Sequence, residues 1–470
     1  MLSYPTVIVY MLQKTEYRFG KYFEWLHRSD DFRLVMKRQK LDRTKKARFL
    51  LMIAQIILDF VYILSFLMFV NAIILTNILL LLFAIGLFLI SPLLVSYLIV
   101  VPLWIGYKLV QAPKQRKMIE STRDILKDHS GIKIAIAGSY GKTTAKEILG
   151  TIISEGKKVA FTPGNMNTPI GISRFVNTLK GDEDIIIFEL GEEKVGDVKE
   201  LCELVQPDIG IITGINEAHL SSFGTIEKTI STIFEISDYL GKKPIYKNKE
   251  SILVKSKIDK NDKLAFSRKG VNNWTVNDIN VSIDGIDFVV DNGHKKISMH
   301  TDLLGEHNIG IIMAAIDIAS SLGLSLDQIK IGVEKTKPFE HRMQPRNLHG
   351  AWIIDDTYNG NSEGVQVGLE LLKSLDANRR IYVTPGLVEQ GDKTKEIHEK
   401  IGEQIADVVD VAVLMNNSVT EYIKYGLKRA GFSGKLIVID DPLKFYSNLD
   451  QYVAKGDIML MQNDWPDNYK

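Results

Sequence analysis

Ile132-Lys-Ile-Ala-Ile-Ala-Gly-Ser-Tyr-Gly-Lys-Thr-Thr-Ala-Lys-Glu-Ile-Leu149 decides the fold of this chain. Its first six residues, through Ala137, form a short apolar run of β type; Gly138 to Gly141 make a glycine turn; from Lys142 the pattern is helical. Strand, glycine turn, Lys-Thr, helix is the arrangement that presents backbone N–H groups and a helix N-terminus to phosphates. Lys142 is then placed to reach terminal phosphates and the Thr143 hydroxyl to hold Mg2+, with Gly138, Ser139, Tyr140, Gly141 and Thr144 completing the cradle. The general phosphate loop carries a further glycine five positions before its Gly-Lys; Ile136 stands there, so this is the compact Gly-x-x-Gly-Lys-Thr-Thr form. A fortuitous glycine turn is the competing reading.

Upstream the texture is different. From Phe49 to Val110 the sequence is almost entirely apolar, interrupted by Gln55, Asp59, Asn71 and Asn77. A bilayer span needs about 20 apolar residues, and this stretch divides into two, roughly 50–70 and 79–107. Basic residues flank both ends: Lys37, Arg38, Lys40, Arg43, Lys45, Lys46 and Arg48 before, Lys108, Lys114, Arg116 and Lys117 after. The positive-inside tendency places both flanks in the cytoplasm, which requires an even number of spans. The expectation is a multi-pass plasma-membrane protein with its other domains cytoplasmic. A buried soluble hairpin is the alternative, against which stands the missing polar face. The first 30 residues mix aromatics and charges and suggest an interfacial amphipathic helix.

At 470 residues the chain is long enough for about three units. Its 58 basic and 57 acidic residues nearly cancel, which points to no nucleic-acid partner. The single cysteine, Cys202, permits no disulfide within the chain and fits a reducing compartment. Downstream, Ser251 to Thr301 reads as short alternating strands with Asp284-Gly285 and Asp291-Asn-Gly293 turns, a small antiparallel sheet. Beyond residue 350 strands alternate with helices, which implies a second parallel sheet. The expected organisation is a cytoplasmic leader (1–48), a transmembrane hairpin (49–110), an ATP-binding α/β domain (111–338) and a Rossmann-like domain (339–470).

Several further segments bear chemistry. Ile185-Ile-Ile-Phe-Glu-Leu-Gly191 places Glu189 at the end of a buried-looking strand, where a metal partner explains an otherwise costly carboxylate. His219, in Glu217-Ala-His-Leu220, follows the next strand and is a candidate second ligand. A strand-end surface acid and a satisfied core histidine are the bland alternatives. Together with Gly164-Asn-Met-Asn-Thr-Pro-Ile-Gly171, Leu304-Gly-Glu-His-Asn308, Ile353-Ile-Asp-Asp-Thr-Tyr-Asn-Gly-Asn361 and Gly386-Leu-Val-Glu-Gln-Gly391, these segments follow the compact loop in the order found in Mur ligases, and the chain resembles that family over about 131–400. The Asp-Asp-Thr-Tyr-Asn run is similar to that of members adding a D-alanyl-D-alanine dipeptide.

The resemblance implies a fold, a reaction and a set of site residues. The fold is a P-loop central domain followed by a Rossmann-like domain, with ligand between them. The reaction is ATP-dependent, Mg2+-dependent peptide ligation through an acyl phosphate, joining the free carboxylate of a cell-wall precursor to an amino acid or dipeptide. Lys142, His219 and Arg342 are then catalytic; Thr143, Glu189 and His219 hold metal. His307 and Asn308 face adenine, with helix capping as the competing role, Arg342 reaches the phosphates, and Asp355, Tyr358 and Asn359 lie near the ribose. Asp356 ends the same strand as Asp355. The chain also departs from the pattern: the apolar hairpin stands where the uridine-binding domain is expected, Ile233 occupies the position of a metal-bridging lysine with Glu235 nearby, Ile311 replaces an asparagine, and Gln462-Asn-Asp464 replaces Lys-Gly-Ser. Two other functions stay open on these departures, a ligase for a lipid-linked or other surface-polymer precursor and a non-catalytic nucleotide-binding membrane scaffold.

Overall fold

The computed structural model describes residues 4–29, 35, 40–216, 223–259, 262–358, 360–387 and 390–463. They form two compact units, one up to Lys117 and one from Met118.

In the first unit the apolar stretch folds as two long helices. Lys45–Ile74 is started by Thr44, whose side chain accepts from Ala47 N, and ends in a tight turn with Thr76 at φ 47°. Asn77 then caps Ile78–Leu98 by accepting from Leu80 N, as short polar side chains do at helix starts. Pro92 lies inside that second helix and has no N–H for the Phe88 carbonyl; the Ser91 hydroxyl donates to it instead, at 2.7 Å. The helices touch through Ser65 Oγ, which donates to the Ala84 carbonyl at 2.7 Å, and through the Tyr62 and Phe88 rings. Both are long and apolar enough to cross a membrane. Phe60, Phe66 and Leu79 are 64%, 65% and 76% exposed, so the chain itself does not bury this surface.

The expected leader helix is two helices. Tyr4–Lys14 has Ile8 to Leu12 fully buried, and amphipathic Phe19–Arg28 buries Tyr22 and Leu26. The Tyr22 hydroxyl donates to the Ser96 carbonyl at 2.8 Å, tying this layer to the hairpin within one core.

The second unit contains three sheets. The first is six-stranded and all parallel: β1 (Ile132–Ala137), β2 (Val159–Phe161), β3 (Ile185–Glu189), β4 (Ile209–Ile212), β5 (Ile245–Asn248) and β6 (Ala265–Phe266), in the order β2-β3-β1-β4-β5-β6. Strands buried on both faces read as continuous apolar runs. On one face Ile134 and Ile136 share a core with Ile148 of helix Lys142–Ile153 and Ile312 of helix His307–Ser321. On the other, Ala135, Ile186 and Phe188 pack with Leu201 and Ile236 of helices Asp197–Val205 and Ile226–Leu240. β1 lies between β3 and β4, so the chain leaves it in opposite directions, and the crevice at its carboxyl end is where such sheets bind ligands.

The second sheet is the small antiparallel one, β7 (Gly270–Val271), β8 (Trp274–Ser282), β9 (Gly285–Asp291) and β10 (Lys296–Thr301). The third holds β11 (Gln344–Leu348), β12 (Ala351–Asp356), β13 (Arg380–Thr384), β14 (Val411–Met415), β15 (Lys435–Ile439) and β16 (Ile458–Gln462), in the order β11-β12-β16-β13-β14-β15. Five of these strands are parallel, as alternation with helices implies; β11 is antiparallel to β12.

Candidate active site

The loop after β1 is shaped by two glycines. Gly138 has φ 146°, and a Cβ there would fall 2.2 Å from Thr213 Oγ1; Gly141 has φ 77°, a left-handed value. Helix Lys142–Ile153 begins directly after Gly141 with no side-chain cap, so its first N–H groups and the positive end of its dipole face outward unspent. They open into a cavity of about 500 Å³ lined by both α/β domains. Ser139 to Thr144, Glu189, His307, Asn308, Arg342, Asp356, Tyr358 and Gln462 all contribute to its wall.

Four charges sit at the loop's edge. Lys142 and Lys146 are one helical turn apart and share a face. Lys142 Nζ donates to Glu192 Oε1 at 2.9 Å and Oε2 at 2.8 Å, and to the Gly138 carbonyl. Lys146, fully buried, donates to Glu189 Oε2 at 3.1 Å and to the Gly164 carbonyl. Thr143 Oγ1 donates to the same Glu189 oxygen at 3.0 Å, and Asn167 Nδ2 donates to Oε1 at 3.1 Å. Every buried charge here has an opposite charge against it, which is what makes its burial tolerable. Burial still pushes the Glu192 carboxyl up, against the pull of Lys142.

The opposite wall sets a neutral imidazole among further charges. His307 is held neutral, its imidazole pushed down to about 4 by burial and by Arg268. Among the described residues its Nδ1, like Ser139 Oγ, is buried with no hydrogen-bond partner. Arg268 contacts Glu250 at 3.4 Å, Glu306 at 3.7 Å and Glu370 at 3.4 Å. Asn308 Nδ2 donates to the Leu304 carbonyl at 2.7 Å. At the end of β12, Asp356 Oδ2 accepts from Gln462 Nε2 at 2.8 Å and Oδ1 from Met343 N at 3.2 Å. Burial pushes its carboxyl up to about 6, in spite of these bonds and of Arg342. The Arg342 guanidinium lies over the Tyr358 ring, 4.5 Å from its centre.

Of the residues singled out from sequence, Ser139 to Thr144, Glu189, His307, Asn308, Arg342 and Tyr358 line this cavity together. Gly138 forms the base of the loop rather than its wall. Asp355 turns away to His341 Nδ1 (2.9 Å) and to the Thr357 hydroxyl, which donates to it at 2.7 Å, while its neighbour Asp356 faces the cavity; adjacent strand residues point to opposite sides. His219 and Asn359 lie outside the described residues. Ile233 is fully buried in the core, and Glu235 accepts from the N–H groups of Gly196 and Lys199, at the start of helix Asp197–Val205. His398 braces the loop after β13: its Nε2 accepts from Leu387 N and its Nδ1 is bonded to the Thr394 carbonyl. Lys146, Glu192 and Arg268 escaped the sequence reading. For Lys146 a signal was present, four residues beyond Lys142 on one helix face.

Comparison with known proteins agrees with this geometry. Residues 136–319 match the Mur ligase middle domain and residues 341–462 the Mur ligase glutamate ligase domain. The chain is similar to the UDP-N-acetylmuramoyl-tripeptide–D-alanyl-D-alanine ligases of Escherichia coli, 27% identical over 57% of this chain and 61% of that protein, and of Borreliella burgdorferi, 29% identical over 64% of each. It thus spans somewhat less than two thirds of the length of these curated relatives. Among solved structures, the MurF ligase from Thermotoga maritima in complex with ADP matches with a TM-score of 0.64 at 26% identity, covering 74% of this chain and 80% of that one. A pseudomurein peptide ligase type C from Methanothermus fervidus shares the fold, with a TM-score of 0.58. With both domains matched in order around one phosphate-loop cavity, the chain belongs to the Mur ligase family.

Proposed function

We propose that this chain is an ATP-dependent carboxylate–amine ligase that extends a muramoyl-peptide cell-wall precursor with D-alanyl-D-alanine. The observation that carries the proposal is the single cavity onto which the phosphate loop, a strand-end carboxylate and the wall of a second α/β domain all open. The residues present fit magnesium and nucleotide. Uncapped N–H groups suit phosphate, the unpartnered Ser139 Oγ and His307 Nδ1 are buried polar atoms in the cavity wall, and Thr143 and Glu189 put hard oxygen donors side by side. His219 is the proposed further ligand. Magnesium, when bound, would neutralise charge on the phosphates.

In this mechanism a carboxylate oxygen of the precursor attacks the γ-phosphorus of ATP, the bond to ADP breaks, and an acyl phosphate forms. The amine nitrogen then attacks the acyl carbon, forms the C–N bond, releases a proton and expels phosphate. The chain's share is positioning and charge neutralisation. Lys142 and Arg342 hold phosphate oxygens, His307 and Asn308 face the base, and Tyr358, with Asn359 as the proposed further contact, lies toward the ribose; Asp355, turned to His341 and Thr357, is not among them. The hairpin embeds in the plasma membrane with both flanks cytoplasmic.

A second substrate class is favoured by one observation: an exposed apolar hairpin precedes the matched domains. On that reading the carboxylate belongs to a lipid-linked precursor. Detergent-solubilised protein given Mg-ATP, UDP-linked muramoyl tripeptide and D-alanyl-D-alanine decides between them, by phosphate release and mass spectrometry. A pentapeptide product supports the first reading. No turnover, with ATP binding that is lost in Lys142→Ala, excludes it and leaves the lipid-linked class.

A further inference from the structure

The Lys142 ammonium has no hydrogen to spare. An ammonium offers three donors, and here two go to Glu192 Oε1 and Oε2, at 2.9 and 2.8 Å, and the third to the Gly138 carbonyl. Lys142 lines the cavity, with 11% of its side chain exposed, whereas the Glu192 side chain is 2% exposed and lies behind it, off the cavity wall. The carboxylate therefore draws the lysine back from the space that phosphates would occupy.

The neighbouring pair shows that this contact is not needed as a brace. Lys146 already joins the helix to the end of β3 through Glu189 and to the Gly164 loop through its carbonyl. Glu192 stands three residues past β3 and adds a second acid to a site whose incoming ligand is itself an anion. Each phosphate oxygen that approaches Lys142 must displace a carboxylate oxygen, and a Glu192 left alone in its buried position loses its countercharge.

We propose that Glu192 is an internal competitor for Lys142 that sets nucleotide affinity: the nucleotide binds by exchanging phosphate oxygens for the Glu192 carboxylate. This rests on the reading of Lys142 as a phosphate ligand. The exchange weakens apparent affinity by the fraction of molecules in which Lys142 is free. If that fraction is about a tenth, removing the competitor tightens binding about tenfold.

The test is ADP binding by calorimetry, in the presence of Mg2+, to the full-length solubilised protein and to Glu192→Gln, Lys142→Ala and the double variant. Glu192→Gln is expected to bind ADP about tenfold more tightly, Lys142→Ala more weakly, and the double variant like Lys142→Ala alone, since the competitor acts only through the lysine. Unchanged or weaker binding in Glu192→Gln, while Lys142→Ala still weakens it, overturns the competitor and leaves the phosphate reading standing. Unchanged binding in Lys142→Ala overturns both. Should Glu192→Gln not fold, Glu192→Met keeps the side-chain length without an acceptor and carries the same expectation.

Discussion

β3 and β12 each carry a carboxylate to the same cavity from the carboxyl end of a parallel strand, and the two ends are built differently. Glu189 meets Lys146, Thr143 and Asn167, with a buried lysine as its main partner. Asp356 meets the Gln462 amide and a backbone N–H, with Arg342 nearby, and burial lifts it to about 6. The strand end supplies only the position. What the acid meets is set by the neighbouring element: a helix that presents lysines at the first site, and a strand that presents a neutral amide at the second. Two carboxylates in one cavity thereby sit in different surroundings, one against a buried ammonium and the other against neutral hydrogen-bond donors.

That contrast can be broken by substitution. The largest effect is expected for Lys146→Met, which leaves Glu189 buried without its cation and costs about 3–5 kcal/mol, read as a fall in melting temperature. Should it cost no more than a neutral hydrogen bond, the two strand ends are equivalent after all. Lys142→Ala should lower turnover by about 10²–10³, of order 3–4 kcal/mol in the barrier, measured as phosphate release. At the other strand end Gln462→Ala removes the amide from Asp356 and should destabilise by about 1–3 kcal/mol in the same melting assay.

Asp356→Asn sharpens the comparison through pH. Well below the ordinary aspartate value the carboxyl is neutral in folded and unfolded chains alike, and the stability gap between wild type and variant is flat. From there to about pH 6 the unfolded carboxylate ionises while the folded one keeps its proton, so the wild type loses stability relative to the variant. The expected change is about 3 kcal/mol, constant again well above pH 6. A gap independent of pH would show that Asp356 titrates normally.

What was legible in the sequence was local. The apolar run of β1, the glycine turn and the helix after it, the polar turn at Asn77 and the Asp-Gly and Asn-Gly turns of the small sheet each declare themselves within a few residues. The placement of β11 antiparallel at one edge, and of β16 between β12 and β13, depends on pairings between distant segments, and strand propensity is silent about partners. The same limit hid the site's ion pairs: Lys146 and Glu189 are 43 residues apart, Lys142 and Glu192 are 50. Asp355 and Asp356 illustrate a third case. Alternation shows that they point to opposite sides, and only the packed sheet shows that Asp356 takes the cavity side.

The insertion of β16 also has a consequence for synthesis. Residues 458–462 pair with β12 on one side and β13 on the other, so the middle of the last sheet is filled by the strand translated after all its neighbours. Until it leaves the ribosome, β12 and β13 lack their shared partner, and apolar residues such as Ile353, Ile354 and Ile381, buried in the finished sheet, line open edges of the kind that recruit other chains. The central domain, whose six strands are complete by Phe266, is free of that delay. The strands of the sheet that carries the phosphate loop are therefore all synthesised while the last sheet still lacks its middle strand.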